Sequence, residues 1–256
     1  MRRIDTIDRP AARAFKTALA SGELKKISKR PKDMGAITVD IHIRNCRAMF
    51  NRGVVDDVLL YNPFDRLSKT IKVEKRWTYI ELDVMSRLLD ACPNRGWRVL
   101  LSLCRFAGLR QGEALNLTWR DVKWGTVDTP AHLIVWAQKT KKFRSVPIVP
   151  ELLPVLRETF ELAEDGTVKI VTGVVRKNLW RDFQVIRRHA GVEPFSKWCH
   201  TLRKNREQDW NYVFPRHIVA EWMGHSVQVA QEHYLRVYQR DIEAAANTAI
   251  PVHNFT

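Results

Sequence analysis

Residues 96–119 read GWRVLLSLCRFAGLRQGEALNLTW, and the stretch divides at its second glycine. Gly96 to Gly108 is strongly apolar and reads as a helix central to a core. Gly108 fits its C-terminal stop, because glycine adopts the left-handed backbone that ends helices at no steric cost. Arg110 follows at once, and RQGEALNLTW reads as a short second helix. A buried helix thus stops and delivers an arginine. The longest apolar run, VLLSLC (Val99 to Cys104), is far below the roughly 20 residues that span a bilayer.

Outward from this stretch, the pattern is mainly helical. YIELDVMSRLLDAC carries Leu82, Met85, Leu88 and Leu89 as an amphipathic stripe. HLIVWAQ and FRSVPIV are β-like runs on either side of the basic turn KTKK. ELLPVLRETFELAE and VVRKNLWRDFQVIRRHAG are helical, and in the second Val175, Leu179, Phe183 and Ile186 share a face. CHTLRKNREQDW, RHIVAEWMG, VQVAQEHYLRVY and DIEAAANTA continue the helical series. Toward the N-terminus, TVDIHIRNCRAMFNRGVV begins at Thr38, a residue suited to an N-cap. Ile41, Asn45, Ala48, Met49 and Arg52 recur at helical spacing, and Arg44, Arg47 and Arg52 form a basic side able to lie along a phosphate backbone. YNPFDRL (Tyr61 to Leu67) ends the helical pattern, since proline disfavours helix in the residue before it. Ser68 to Trp77 is polar, basic and aperiodic, and reads as a linker. The expected organisation is a helical unit over residues 1–67, a linker over 68–77, and a mixed unit over 78–256.

The 256 residues hold 43 Lys and Arg against 28 Asp and Glu, a net charge of +15. Such an excess favours polyanionic partners through counterion release. It is uneven: residues 1–77 carry +9 and residues 78–256 carry +6. The densest cluster, KKISKRPK, includes Lys25 and Lys26. Cys46, Cys92, Cys104 and Cys199 match no zinc or disulfide spacing and read as reduced, mostly core residues. No cluster has metal-ligand spacing, and MRRIDTIDRP lacks an apolar signal core. A soluble, cytoplasmic protein is expected, with no membrane partner.

Four short pieces carry candidate chemistry. Arg110 follows the glycine stop. Lys139 sits where the first β-like run gives way to the turn. In CHTLR, His200 and Arg203 are three apart and share a helical face. In MGHSVQVAQEHYLRV, His225 follows Met-Gly and Tyr234 lies nine residues on. Each alone reads equally well as ordinary surface or core. Their order is specific: Arg, Lys in a β-turn, His-x-x-Arg, Gly-His, Tyr.

That order resembles the tyrosine recombinases, also called phage-type integrases, over most of the chain. FAGLRQGEALNLTWRDV is similar to the family's first arginine box, with Glu113 as its acidic residue, and QKTKKFRSVPI to its hairpin lysine segment. HTLR and MGHS…HY resemble the second box. RNCRAMFNRGVVDDVLLYNPFDRL resembles the helical core-binding domain, which ends in an Asn-Pro-Phe turn. The resemblance implies a mainly α protein with a small antiparallel sheet, built from a core-binding domain and a mixed α/β catalytic domain. It implies strand cleavage by Tyr234 through a covalent phosphotyrosine, with Arg110, Arg203 and His225 on the phosphate oxygens, His200 as base and Lys139 as acid. Lys141 and Lys142 rival Lys139 and are otherwise expected to touch DNA. The resemblance implies no metal and no ATP, double-stranded DNA as partner, a monomer without DNA, and a homotetramer on two DNA sites.

The chemistry explains these residue types. Two arginines can fork onto non-bridging oxygens and stabilise the charge of a pentacoordinate transition state. A phenol with an ordinary pKa of about 10 needs a base and a cationic pocket. Two departures stand out. After HTLR the family places small and aromatic residues, whereas KNREQDWNYVFPRH is strongly charged, which questions the packing of that helix. The front unit is short for a core-binding domain. A topoisomerase-like activity with the same residues and a non-catalytic DNA-binding regulator on the same scaffold remain as alternatives.

Overall fold

The computed structural model describes residues 4–23, 35–68, 78–137 and 141–225. The chain divides into two compact units, Met1–Arg76 and Trp77–Thr256. The linker expected over 68–77 lies, Ser68 aside, outside the described residues, as do the helices expected in VQVAQEHYLRVY and DIEAAANTA.

The first unit is built on α1 (Arg9–Ser21) and α2 (Ala36–Val55). Asp8 caps α1, its carboxylate accepting from the Ala11 amide at 2.8 Å, and Gly22 closes it in the left-handed conformation. Thr38 is not the cap of α2. The helix starts two residues earlier, and the Thr38 amide already donates to the Gly35 carbonyl at 2.8 Å. The buried side of α2 is Val39, Ile43 and Phe50, while Ile41 and Met49 are exposed. Phe64 fills the space between the helices, with its ring centroid 4.9 Å from Phe50 and 6.2 Å from Phe15. Buried Asn62 fixes the turn that delivers Phe64. Its amide donates to the Arg47 carbonyl at 2.8 Å and to Asn51 Oδ1 at 2.6 Å, and its oxygen accepts from the Phe64 amide at 2.9 Å.

The second unit is mainly α with one small sheet. It contains α3 (Leu82–Asp90), α4 (Arg95–Phe106), α5 (Gln111–Asn116), α6 (Leu153–Glu161), α7 (Leu179–His189), α8 (Trp198–Val213) and α9 (Arg216–Met223). The sheet is antiparallel, in the order β1 (Val122–Lys123), β2 (His132–Ala137), β3 (Lys142–Pro147), with Val135 opposite Arg144 and Ala137 opposite Lys142. β1 has only two residues, too few for an alternating pattern to show in sequence. α4 is buried over most of its length, capped by Asn94, whose side chain accepts from the Trp97 amide at 2.9 Å. α8 and α6 pack along it. In α3, Met85 and Leu88 are buried, but Leu82, the first residue, is exposed. In α7, Leu179, Phe183 and Ile186 share the buried face, whereas Val175 precedes a 3-10 turn at Arg176–Asn178 and is exposed. The four cysteines are free, with Cys104 and Cys199 buried. Among the described residues, no helix is long and apolar enough to cross a membrane.

The charged run of α8 lies in the interior. Arg203, Asn205, Arg206, Glu207 and Gln208 are all buried. Each polar group therefore needs a partner. Asn205 brackets the start of the unit, accepting from the Ile80 amide at 2.9 Å and donating to the Thr78 carbonyl at 3.1 Å. Asp209 takes the buried Arg105 guanidinium and the Tyr79 hydroxyl. Arg206 lies over the rings of Trp210 and Phe106, 5.3 and 5.8 Å from their centroids.

Gly96 in the first turn of α4 faces the Thr172 carbonyl, which a Cβ would overlap. Helix propensity alone makes Gly→Ala stabilising by about 0.5–1 kcal/mol. Overlap with backbone reverses the sign, at a cost of about 1–3 kcal/mol. Gly96→Ala is thus expected to lower the melting temperature by several degrees in a circular dichroism melt. A raised melting temperature would show that the Thr172 segment yields.

Candidate functional site

The site begins where α4 ends. Gly108 has φ +61°, and a Cβ there would lie 2.9 Å from Met223 Sδ. Glycine therefore lets the chain turn against α9 without strain at this position. Two residues on, Arg110 is the N-cap of α5, and Glu113 reaches back to it. Glu113 Oε2 accepts from the Arg110 amide at 2.8 Å and Oε1 from Arg110 Nη1 at 2.9 Å. Arg144 of β3 grips the same carboxylate from the other side, Nη1 to Oε1 at 3.0 Å and Nη2 to Oε2 at 2.7 Å. Burial alone would raise the Glu113 carboxyl. The hydrogen bonds and charge of Arg144, then the Arg110 amide and guanidinium, outweigh it and hold the pKa at about 2.

Three arginines then meet the C-terminal end of α9. Arg144 Nε donates to the Trp222 carbonyl at 2.8 Å, Arg203 Nη2 to the Met223 carbonyl, and Arg110 Nη2 to the Gly224 carbonyl at 3.1 Å. These are carbonyls that a helix end leaves without intrahelical partners, where cations are favoured. Arg203 Nη1 also donates to the Gly108 carbonyl at 2.5 Å, tying the end of α4 to the end of α9. Burial, with Arg110 beside it, pulls the Arg203 pKa down to about 10, so it stays a cation at neutral pH.

Arg110, His200 and Arg203 line one open cleft of about 530 Å³, together with Arg176, Lys177 and Lys197. No Asp or Glu lines it among the described residues. His200, in the first turn of α8, is exposed to the cleft. The protein mass around it, then the charges of Lys204, Arg203, Lys197 and Arg110, hold its pKa at about 4. It is a neutral imidazole at pH 7, able to accept a proton.

The other expected residues are placed differently. His225 is not on this cleft. Its side chain is 7% exposed, and Nε2 lies 2.8 Å from Oε1 of Glu207, which is fully buried. Lys139 and Tyr234 lie outside the described residues, as do Lys25 and Lys26. Lys141 has a left-handed backbone and is exposed, and Lys142 opens β3. Arg44, Arg47 and Arg52 are exposed but paired, with Asp40 at 2.6 Å, Asp65 at 3.0 Å and Asp56 at 2.8 Å. The sequence reading missed Arg144, Glu207 and the cleft cations that precede α7 and α8. Arg144 left a signal: in β3 it alternates in step with inward-facing Val146, so it requires a buried anion.

The sequence profile of the phage integrase family matches residues 78–240. The chain belongs to the phage integrase family, the tyrosine recombinases. A tyrosine recombinase of Thermosipho africanus (strain TCF52B) is 26% identical, over 94% of this chain and 84% of that protein. Among solved structures, a lambda integrase (75–356) dimer bound to a COC′ core site superposes with a TM-score of 0.70 at 16% identity, over 93% of this chain and 84% of that one. The Tn1549 transposon integrase (82–397) in complex with circular intermediate DNA gives 0.66 at 15%, over 96% and 87%. At these identities the structures establish the integrase fold, and the sequence profile establishes the family.

Glu113→Gln tests the integrase site's foundation. Loss of the charge leaves two guanidiniums facing a neutral amide, and breaking a buried pair costs about 3–5 kcal/mol. The wild-type pKa of about 2 lies below the ordinary 4.5. The Glu113 contribution is therefore fully present above pH 4.5 and disappears as pH falls through 2. The shift corresponds to ~3 kcal/mol. Urea denaturation from pH 7 to pH 3 is expected to show this acid loss in the wild type and less of it in Glu113→Gln. Equal pH dependence in both would show that Glu113 does not carry it.

Proposed function

We propose that this tyrosine recombinase cleaves and rejoins DNA strands at specific sites through a covalent 3′-phosphotyrosine. The carrying observation is the cleft that holds Arg110, Arg203 and a neutral His200 with no carboxylate on its wall. A DNA phosphodiester repels nucleophiles by its charge. A guanidinium has five N–H donors. Arg203 uses two on the Gly108 and Met223 carbonyls, and the rest remain for an anion. Arg110 is held by Glu113 and the Gly224 carbonyl before any substrate arrives. Donors fixed in advance need no reorganisation as charge develops on phosphorus, which is the main source of such stabilisation.

In this reading the phenolic oxygen of Tyr234 attacks the phosphorus while its proton passes to His200. The P–O5′ bond breaks, and O5′ takes a proton from Lys139. A phosphodiester becomes a phosphotyrosine diester, so bond energy is retained. A 5′-hydroxyl of a second strand reverses the step. His225 would donate to the same oxygens after leaving Glu207. The partner is double-stranded DNA, and strand exchange between two sites calls for four copies of the chain. The buried His225–Glu207 pair favours a second reading, a DNA-binding regulator that retains the scaffold without chemistry.

Nicked suicide duplexes tiled across the ends of the chain's own genetic element separate the two. In EDTA, a covalent protein–DNA band on a denaturing gel that is absent in Tyr234→Phe supports the recombinase. DNA binding without such a band on every tile supports the regulator. The pH dependence adds a check. His200 accepts a proton only when neutral, so the apparent second-order rate of covalent complex formation should hold down to about pH 5 and fall through pH 4. An acid limb near the ordinary histidine value of about 6.5 would remove His200 as the base.

A further inference from the structure

The cleft holds more cations than one phosphate requires. Arg110 and Arg203 suffice to fork a single pair of non-bridging oxygens. Arg176, Lys177 and Lys197 line the same cleft, which Glu113 does not reach. Arg176 and Lys177 sit on the 3-10 turn before α7, and Lys197 on the residue before α8, so two separate elements converge there.

These three differ from the arginines of α2 and from Arg110 and Arg144. Arg44, Arg47, Arg52, Arg110 and Arg144 each have a carboxylate within 3.0 Å. Among the described residues, none of Arg176, Lys177 and Lys197 forms an ion pair, and all three are exposed. A phosphate approaching α2 must displace aspartates already in place. A phosphate approaching the cleft meets cations whose mutual repulsion it relieves. Lys197 is also held with φ +49°, a left-handed backbone unfavourable by about 1–2 kcal/mol for a side chain with Cβ. In that conformation its carbonyl accepts the His200 and Thr201 amides at 2.8 and 3.0 Å, which anchors the lysine at the start of a 16-residue helix. The positive end of the α8 dipole adds to the same field.

We infer that Arg176, Lys177 and Lys197 form a second anion site, which holds a backbone phosphate neighbouring the scissile one on the same DNA strand. The inference rests on the recombinase reading for the identity of the polyanion. The site would set the register of the strand across Arg110 and Arg203 without reading base sequence, as phosphate contacts do.

The test uses the full chain and a mixed-sequence duplex, with affinity followed by fluorescence anisotropy across a salt series. Each phosphate neutralised adds about 0.9 to the slope of log K against log salt. Arg176→Ala, Lys177→Ala and Lys197→Ala combined should lower the slope by about 1, the value for one phosphate, and the affinity at physiological salt by at least ~10-fold. The three side chains are exposed, so the melting curve should not move, and a circular dichroism melt checks this. A triple variant with the wild-type slope overturns the site. A wild-type chain that binds no duplex even at low salt overturns the DNA reading itself, a distinct failure. Once the cleavage position is mapped, a neutral methylphosphonate replaces the adjacent phosphate. It should weaken the wild type and leave the triple variant little changed. Equal weakening of both would place the three cations elsewhere on the DNA.

Discussion

The second unit turns on one carboxylate. Glu113 lies between two guanidiniums, its side chain 6% exposed, and through them it reaches three separate pieces of chain. Arg110 caps α5 just beyond the central helix, Arg144 belongs to the sheet, and both continue to the carbonyls that close α9. Removing a carboxylate from water is unfavourable, and two opposed cations with four hydrogen bonds to it, one from the Arg110 amide, offset the loss. The same contacts immobilise one edge of Arg110 and leave the other toward the cleft. Stability and preorganisation of the site are thus one arrangement.

A second consequence concerns α8. A helix carrying Arg203, Arg206, Glu207 and Asp209 within seven residues would be a surface helix in most proteins. Here it packs along α4, and its polar groups are absorbed by partners from every neighbour: Arg105 and Tyr79 for Asp209, aromatic rings for Arg206, backbone carbonyls for Arg203. Buried polar networks specify one arrangement because each mismatch leaves an unsatisfied group. The Glu207–His225 contact is part of this network and directs His225 into the interior instead of the cleft.

The cleft that remains is basic by arrangement more than by composition. The N-terminal unit carries the larger share of net charge, yet its α2 arginines are neutralised locally by Asp40, Asp56 and Asp65. Among the described residues, no Asp or Glu lines the cleft beside its lysines and Arg176.

Much was legible in the sequence because it depends on local patterns. The apolar block of α4 and its glycine stop, the hairpin around the basic turn, the shared face of α7 and the three-residue spacing of His200 and Arg203 all follow from periodicity and backbone preference. The resemblance to the first arginine box singled out Glu113 as an acidic residue but not its partners. Capping preference named the wrong starting residue for α2, because a helix can begin at Gly35 without a side-chain cap. What periodicity cannot carry is pairing across distant segments. That Arg144 lies on Glu113, that Glu207 faces His225, and that Arg176 and Lys197 share a wall with Arg110 are matters of which helix ends meet. The sequence by itself determined helices α3 to α9, the β2–β3 hairpin and the family. Tertiary structure decided which charges are paired and buried and which are left facing the cleft, because electrostatic energy depends on separation in space and not on separation along the chain.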